Sequence, residues 1–448
     1  MATVEQETAA GVIAERLRGR IATRAATVGL VGLGYAGLPL AIAFAEAGFP
    51  VVGVDTRPDR VEALRAGRSY LGDLPDATVA ALVGAGRLTA TADYAALADA
   101  DAITLCLPTP LSKTKAPDPS FIVAALAALA PRLRRGQLVV LESTSYPGTT
   151  EELVRPAIEA RGLVVGRDVF LAFAPERVNP GDAAFGTRNT PKLVGGCTPA
   201  CRDLAVALYQ TIVDEVVPVA SPTVAETAKL LENTYRAVNV ALANEMALIC
   251  ERLGIDVWDV IAAAATKPFG FQPFYPGPGL GGHCIPVVPH YLAWKLKALG
   301  YEARFIALAD EVNQAMPAHV VGLAQDALND AGRALRGARV LVLGVAYKAG
   351  VADTRESPAL EVLRLLRAKG ADVAYHDPLV PAVALEDGAT LESVALDEAA
   401  LAGADCVVVA TAQPGLDWAW VARHARLLVD TRNATAAVPH PAARIVKL

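Results

Sequence analysis

Short apolar runs recur along this chain, and each ends in a glycine-rich or polar turn. Four of them lie in the first half, at residues 27–31, 51–54, 102–107 and 138–141. Four more lie in the second half, at residues 340–344, 373–377, 406–411 and 427–432. Continuous runs of Val, Leu and Ile are typical of strands buried on both faces of a parallel sheet. The repetition predicts an α/β chain with two Rossmann-like domains.

A helical pattern separates the two halves. Ser221 suits a helix N-cap and Pro222 the first helical position, and helical periodicity then continues to Gly254. About 32 residues at about 1.5 Å each make a helix of roughly 48 Å, longer than a small domain is wide. We therefore expect a long central helix that joins the domains, with a small helical domain beside it. Its apolar positions suit interdomain packing or a dimer core, and they are Leu230, Leu231, Val238, Leu242, Met246 and Ile249.

The first apolar run opens a glycine motif of the form GxGxxG. Its residues are Gly32, Leu33, Gly34, Tyr35, Ala36 and Gly37. A helix-like segment and a second strand ending in Asp55 follow, which is the context of a dinucleotide site. Glycines permit the tight turn and the close approach of a pyrophosphate to the helix N-terminus. The alternative is a glycine turn in a βαβ unit that binds no nucleotide.

Asp55 bears on which dinucleotide is bound. Its carboxylate can accept hydrogen bonds from ribose hydroxyls and would repel a 2′-phosphate, which favours NAD. Arg57 and Arg60 lie close behind it and leave NADP open. Because ligands bind beyond the carboxyl ends of the strands, Thr109 and Thr144 are expected beside the cofactor. Ordinary turn or capping hydroxyls are the alternative for both.

A second glycine-rich segment, residues 275–282, leads to His283 and Cys284. Glycines let the backbone approach a ligand closely, and a thiol at the start of a following helix sits where partial positive charge favours the thiolate. The segment therefore indicates a reactive cysteine. A turn beside a buried, inert cysteine is the alternative.

Polar residues at two further places add candidates. The second half lacks the GxGxxG spacing, but Lys348, Arg355 and Arg432 fall at or soon after its strand ends and could neutralise a diphosphate. On the long helix a polar stripe runs through Lys229, Asn233, Arg236 and Asn244. The alternatives are solvated surface charges and a solvated helix face.

Composition narrows the class of protein. The chain has 448 residues, 53% hydrophobic and 20% charged, so two or three globular domains are expected. The net charge of −6 comes from interspersed acidic and basic residues, which predicts no nucleic-acid partner. Apolar runs are too short for a membrane span, and the first 24 residues carry charges where a signal peptide is apolar, which favours the cytoplasm. The six cysteines form no CxxC pair, which predicts neither disulfides nor a metal site.

Taken together, these motifs resemble those of the UDP-glucose/GDP-mannose dehydrogenases, the NAD-dependent nucleotide-sugar 6-dehydrogenases. The resemblance covers nearly all of residues 27–433 and rests on the fingerprint and on five further motifs in order. These are Glu-Ser-Thr at 142–144, Ala-Pro-Glu-Arg at 174–177, Lys229 with Asn233, Gly-Gly-His-Cys at 281–284 and Asp-Thr-Arg-Glu-Ser-Pro at 353–358. The segment 274–279 and Arg177 look most like those of enzymes that act on UDP-N-acetylglucosamine or UDP-N-acetylmannosamine.

The resemblance implies a reaction and assigns residues to it. The C6 alcohol of a UDP-N-acetylhexosamine is oxidised to the uronic acid with two NAD, and Cys284 carries first a thiohemiacetal and then a thioester. Lys229 and Asn233 are implied to stabilise the developing oxyanion. Glu176 is implied to handle protons or the hydrolytic water, and Thr144 to position water or cofactor.

The implied binding residues fall into two sets. The cofactor set is Gly32, Gly34, Tyr35, Ala36, Gly37, Asp55, Arg57, Arg60, Thr109, Ser143, Thr144 and Arg355. The UDP-sugar set is Glu176, Arg177, Val178, Lys229, Asn233, Arg236, Phe274, Tyr275, Gly281, Lys348 and Arg432. A homodimer through the central helix is expected. The expected division is an N-terminal extension (1–25), an NAD-binding Rossmann domain (26–215), a central helical linker and dimerisation domain (216–330) and a C-terminal Rossmann-like UDP-sugar-binding domain (331–448).

One position departs from the family pattern. Four residues after the cysteine, where family members usually carry aspartate, the chain has Val288. On a helix the fourth residue shares the cysteine's face, so the change removes a candidate proton acceptor near the thiol. Three alternatives stay open: a UDP-glucose 6-dehydrogenase, a variant with impaired thioester hydrolysis, and a non-catalytic sensor of NAD and a nucleotide sugar.

Overall fold

The computed structural model describes residues 2–72, 74–112, 114–178, 184–282, 285–385 and 387–448. The chain forms two compact units. The first consists of Met1–Leu231 with His290–Gly300, and the second of Glu232–Pro289 with Tyr301–Leu448. The four-part division expected from the sequence stays a prediction. Across the described ranges, no helix is long and apolar enough to cross a membrane.

The regular elements follow one another as strands and helices in near alternation. The α-helices are α1 (Ala2–Ala22), α2 (Gly37–Glu46), α3 (Pro58–Arg65), α4 (Asp76–Gly84), α5 (Ser120–Leu129), α6 (Arg155–Glu159), α7 (Pro199–Tyr209), α8 (Pro222–Leu253), α9 (Val257–Ala265), α10 (Val288–Lys297), α11 (Arg304–Asp330), α12 (Pro358–Ala368), α13 (Glu398–Gly403) and α14 (Trp418–His424). The strands are β1 (Val28–Val31), β2 (Val51–Val54), β3 (Leu88–Thr91), β4 (Ala102–Leu105), β5 (Leu138–Leu141), β6 (Phe170–Phe173), β7 (Lys192–Gly196), β8 (Val216–Val219), β9 (Arg339–Leu343), β10 (Asp372–His376), β11 (Ala382–Ala384), β12 (Thr390–Glu392), β13 (Cys406–Val409), β14 (Leu427–Asp430) and β15 (Arg444–Lys447). Short 3-10 or π turns lie at Tyr94–Leu97, Ala130–Arg132 and Thr150–Val154.

The first unit is built on an eight-stranded sheet of order β3-β2-β1-β4-β5-β6-β7-β8. Its neighbouring strands are parallel except for β6 and β7. The first six strands follow the Rossmann order, and every residue of β1, β4, β5 and β6 is buried. In such a sheet the strand order reverses between β1 and β4, and the ligand crevice lies at their carboxyl ends.

The second unit contains a five-stranded, all-parallel sheet of order β10-β9-β13-β14-β15. The strands expected in the second half of the sequence are β9, β10, β13 and β14. The predicted α/β class with two Rossmann-like domains and a long helix is therefore confirmed. A short antiparallel hairpin, β11 with β12, follows β10 and had no clear signal in the sequence.

The long helix α8 spans 32 residues and begins at Pro222, as the N-cap pattern predicts. The N-terminal extension, for which no element was predicted, forms α1. Leu17 and Ile21 of this helix are buried in the core of the first unit. Arg20 pairs with the buried Asp101 at 2.8 Å, which fixes the end of α1 beside β4.

Gly344 occupies the turn after β9 with φ of +79°, and a Cβ there would lie 2.1 Å from the carbonyl oxygen of Thr411. Gly350 has a similar φ of +77° but open space around its Cβ position. Alanine at either residue carries the left-handed backbone cost of about 1–2 kcal/mol. We expect Gly344→Ala to lose about 1–3 kcal/mol more than Gly350→Ala, because only there must the backbone shift. Urea unfolding of the two variants measures the difference, and equal midpoints would contradict the close contact.

Candidate active site

The glycine turn after β1 has the geometry of a pyrophosphate site. Gly32 has φ of +89°, and a Cβ there would lie 2.3 Å from the carbonyl oxygen of Cys106. A Cβ on Gly37 would lie 1.9 Å from the carbonyl oxygen of Gly32, so α2 starts in direct contact with the turn. The Cβ position of Gly34 faces open space, with its nearest neighbour 3.8 Å away. The first and third glycines are needed by the fold, and the second leaves room for a ligand.

Asp55 follows β2 and is buried. Its Oδ2 accepts a hydrogen bond from the Leu33 amide at 2.8 Å and pairs with Arg60 Nη1 at 3.1 Å. The guanidinium of Arg57 pairs with Asp59 at 2.6 Å. Arg57 and Arg60, which left NADP open as the cofactor, are thus already paired with carboxylates. The turn and the acid at the end of β2 fit NAD.

Hydroxyl residues meet at the carboxyl ends of β4 and β5, where the sequence predicted them. Thr109 Oγ1 donates to the carbonyl of Thr144 at 2.6 Å, and Ser143 Oγ accepts from the Leu107 amide at 2.8 Å. The hydroxyl of Tyr291 donates to the Thr109 carbonyl. These bonds lock the two loops together on the side of the sheet where the glycine turn lies.

Glu176 lies in the loop after β6. Its Oε1 accepts hydrogen bonds from the amides of Arg177 and Val178, both at 2.7 Å. Its Oε2 faces the ammonium of Lys192 at 3.5 Å. Burial raises the pKa of Glu176, but Lys192, the two amides and Lys229 outweigh burial, and the net pKa lies below its usual range. The structure thus presents Glu176 as a carboxylate.

Lys192 begins β7 and belongs to a buried charged cluster that the sequence analysis missed. Its Nζ donates to Glu142 Oε2 at 2.9 Å and lies 5.2 Å from the ring centroid of Tyr209. The Tyr209 hydroxyl donates to Glu142 Oε1. The available signal was a lysine at the head of an otherwise apolar run, since lysine is almost never buried unless paired.

Glu226 on α8 is a second residue whose structural role the sequence did not predict. It is buried, and its carboxylate accepts the Gly148 amide at 2.6 Å and both the amide and hydroxyl of Thr150, at 2.9 and 2.6 Å. Burial raises the pKa of this carboxyl. It holds the loop that follows Thr144, one turn of α8 before Lys229.

In the second unit, a buried amide pair holds the glycine loop that leads to the cysteine. Asn244 of α8 accepts the Gly277 amide at 2.9 Å and donates to Asn313 of α11 at 2.9 Å. Asn313 in turn donates to the carbonyl of Ala237 at 3.2 Å. Asn244 is fully buried, so this part of the polar stripe is no solvated face.

The same loop packs tightly against two further side chains. A Cβ on Gly277 would lie 2.3 Å from Arg432 Nη1, and one on Gly281 would lie 2.8 Å from Tyr347 Cβ. Gly282 donates its amide to the Arg355 carbonyl at 3.1 Å. The two residues that follow, His283 and the predicted nucleophile Cys284, lie outside the described residues.

Arg432 has an unusual environment for a guanidinium. Its Nε donates to the Ala410 carbonyl at 2.9 Å, while the Asp430 carboxylate nearby accepts backbone amides. Burial lowers the pKa of Arg432 to about 10. Among the residues described, no carboxylate forms an ion pair with it. Arg355, by contrast, pairs with Asp353 at 2.6 Å.

The other predicted residues of the second unit occupy varied environments. Asn233 is buried, while Arg236 is exposed and Lys348 half-buried. Phe274 contacts the ring of Tyr235, and Tyr275 stacks on Trp258 with centroids 5.9 Å apart. Val288, where an aspartate was expected, is 3% exposed at the first position of α10. The described part of the chain holds no group of three His, Cys, Asp or Glu side chains placed to bind a metal ion.

A Rossmann sheet, a glycine turn built for a pyrophosphate and an acid at the end of β2 define a dinucleotide-binding dehydrogenase. Three family models match in succession: the NAD binding domain of the UDP-glucose/GDP-mannose dehydrogenase family at residues 26–213, its central domain at 223–315 and its UDP binding domain at 341–437. The chain belongs to the UDP-glucose/GDP-mannose dehydrogenase family. It is an NAD-dependent nucleotide-sugar dehydrogenase, which confirms the predicted family, enzyme class and cofactor.

Several relatives of the chain are named for N-acetylated sugars. The chain is 35% identical over 412 residues to a UDP-N-acetyl-D-mannosamine dehydrogenase of Pyrococcus horikoshii, covering 91% of this chain and 95% of the relative. It is 38% identical over 357 residues to a UDP-N-acetyl-D-glucosamine 6-dehydrogenase of Pseudomonas aeruginosa, covering 79% and 83%. A solved structure of UDP-D-ManNAc dehydrogenase from Pyrococcus horikoshii matches with a TM-score of 0.85 at 34% identity, covering 94% of this chain and 98% of that one.

The three fingerprint glycines allow a matched test. We expect Gly34→Ala to unfold like the wild type but to bind NAD at least about tenfold more weakly, equivalent to about 1.4 kcal/mol, because the added methyl occupies space left for the pyrophosphate. Gly37→Ala should instead lose about 1–3 kcal/mol of stability, because its methyl meets the Gly32 carbonyl. Calorimetric titration with NAD and urea unfolding separate the two effects. Unchanged NAD affinity in Gly34→Ala would count against this site.

Proposed function

We propose that this enzyme oxidises the C6 alcohol of a UDP-N-acetylhexosamine to the uronic acid with two NAD. The observation that carries the proposal is the environment of the Asn233 side-chain amide. Its side chain is 6% exposed, and its Nδ2 has no hydrogen-bond partner among the described residues. A buried donor without a partner costs about 1–3 kcal/mol, a cost that is offset when a substrate oxygen accepts from it.

The chain's residues have separate tasks in this reaction. The glycine turn after β1 and Asp55 would hold NAD, which would supply a hydride acceptor for each of the two oxidations. The Cys284 thiol adds to the aldehyde carbonyl, which forms a carbon–sulfur bond and, after the second oxidation, a thioester. The Asn233 amide and the Lys229 ammonium stabilise negative charge on the substrate oxygen. Glu176 takes the proton of the water that cleaves the carbon–sulfur bond, which releases the carboxylate and restores the thiol.

Arg432 supports a UDP-sugar as the substrate. It lies within the span matched by the UDP binding domain of the family. A half-buried guanidinium that lacks an ion pair among the described residues suits a diphosphate, which can accept from it bidentately. The N-acetylated sugar is inferred from the relatives and from the sequence of segment 274–279.

The test is a panel of UDP-N-acetylglucosamine, UDP-N-acetylmannosamine, UDP-N-acetylgalactosamine and UDP-glucose, with NADH counted per sugar consumed. We expect two NADH per sugar with an N-acetylated substrate. Cys284→Ser should bind NAD like the wild type but fail to give the acid. UDP-glucose as the best substrate, or no NADH with any nucleotide sugar, would contradict the proposal.

A second candidate, impaired thioester hydrolysis, is favoured by the buried and apolar Val288. The NADH count of the same substrate panel distinguishes this candidate from full turnover. NADH would then appear in a burst of two per active site, and intact-protein mass spectrometry would show an acyl adduct lost in Cys284→Ser. Rapid turnover without an adduct would rule this candidate out.

We further propose a homodimer through α8. Tyr235, Leu242, Ile249 and Leu253 of this helix are 48%, 55%, 39% and 66% exposed. The first three are spaced by seven, so they share one face of the helix. A contiguous exposed apolar stripe of this kind marks an association surface more often than a free one.

Leu242→Glu tests the dimer. We expect wild type to sediment at twice the chain mass and the variant at 46.6 kDa, because a buried unpaired carboxylate opposes association. Leu379→Glu is the control, since Leu379 is 40% exposed and lies outside α8. A monomeric wild type, or a dimeric Leu242→Glu, would contradict the proposed interface.

A further inference from the structure

Lys192, Glu142 and Tyr209 form a cluster beside Glu176 and have no part of their own in the proposed reaction. Lys192 is 5% exposed and Glu142 is 2% exposed. The ammonium lies between two carboxylates, 2.9 Å from Glu142 Oε2 and 3.5 Å from Glu176 Oε2. Burying the ion pair of Lys192 and Glu142 is expensive, and an apolar replacement of such a pair is often neutral or stabilising. Packing alone therefore does not account for the cluster.

The two oxygens of Glu176 have different surroundings. Oε1 is held by two backbone amides, so its direction is fixed by the loop. Oε2 takes no backbone hydrogen bond from the residues that the structure describes, and it faces Lys192. A water-sized cavity is lined by Glu176, Lys192 and Tyr209, so there is room for one water beside this carboxylate. Oε2 is the oxygen that remains available for proton transfer.

Without Lys192, the carboxylates of Glu142 and Glu176 would repel each other. Glu142 is a buried carboxyl group in the same cluster, and its pKa is raised by burial and by repulsion from the charge of Glu176. Lys192 offsets this repulsion and attracts Glu176 directly. Burial lowers the pKa of Lys192, but the two glutamates outweigh burial and the net pKa is raised, so the ammonium stays charged. Burial raises the pKa values of Cys106 and Tyr209 well above normal, so both face the cluster as neutral groups.

We propose that Lys192 is a positioning residue that keeps Glu176 ionised and its Oε2 directed for proton transfer, with Glu142 and Tyr209 holding the ammonium in place. The proposal rests on the proposed function, because it assigns Glu176 to the proton of the hydrolytic water. Lys192 touches neither substrate nor cofactor in this assignment. It acts through Glu176.

The test compares Glu142→Gln with Glu142→Gln/Lys192→Met. With the second carboxylate neutral in both proteins, the pair differs only in the ammonium beside Glu176. We expect the acid limb of the rate profile to lie about 1–3 pH units higher in the double variant, because a neighbouring opposite charge lowers a carboxyl pKa by that amount. Lys295→Met is the control, since it removes another lysine paired with a glutamate, Glu152, in the same unit. Its acid limb should match the wild type.

A readout that needs no turnover accompanies the rates. Infrared spectra of each protein minus its Glu176→Gln counterpart report the protonated carboxyl of Glu176 against pH. The band should appear at higher pH when Lys192 is absent. If both proteins protonate Glu176 at the same pH, the role of Lys192 is overturned, whether or not the enzyme is active. If the band shifts but the wild type oxidises no nucleotide sugar, the proposed function fails while the electrostatic role stands.

Discussion

The structure depends on one contact that occurs twice: a carboxylate at the end of the second strand of a sheet accepts backbone amides from the turn after the first strand. Asp55 accepts the Leu33 amide at 2.8 Å, and Asp377 accepts the amides of Val345 and Ala346 at 2.8 and 3.1 Å. Both acids are buried, so each amide satisfies a charge that would otherwise be costly. In both units the contact fixes a turn that opens with a left-handed glycine.

The two carboxylates differ in whether a ligand can replace one of their hydrogen-bond partners. Asp377 also accepts the Leu379 amide at 2.9 Å, and the Gln413 side chain donates to both of its oxygens. Its acceptor positions are therefore filled by the protein. Asp55 has a partner that can move, the part-exposed Arg60. A ribose can replace a flexible side chain more readily than a set of fixed bonds, so the first unit retains a dinucleotide site. The second unit has the same turn, and there Arg432 is the residue that we propose to bind the diphosphate.

Local patterns were enough to predict four strands of each sheet, the fingerprint and α8, because each is a property of neighbouring residues. Periodicity located α8 to within a residue at both ends. The buried pairs were not predictable, because Lys192 and Glu142 are 50 residues apart and Asn244 and Asn313 are 69 apart. Sequence pattern can mark a polar residue in an apolar run as unusual, but only the fold supplies its partner.

Three buried polar residues of α8 differ in whether the protein itself satisfies their hydrogen bonds. Glu226 and Asn244 both accept backbone amides of loops, so their burial is compensated inside the protein. Asn233 lies between them on the same helix, and its Nδ2 is the exception among the three. A folded protein leaves few buried donors unpaired, since each costs about 1–3 kcal/mol that packing must offset. The two satisfied residues hold loops in place, and the unsatisfied one is where we propose that a substrate oxygen binds. On that proposal the cost at Asn233 is recovered when charge develops on the oxygen, which is the condition for stabilising a transition state more than a ground state.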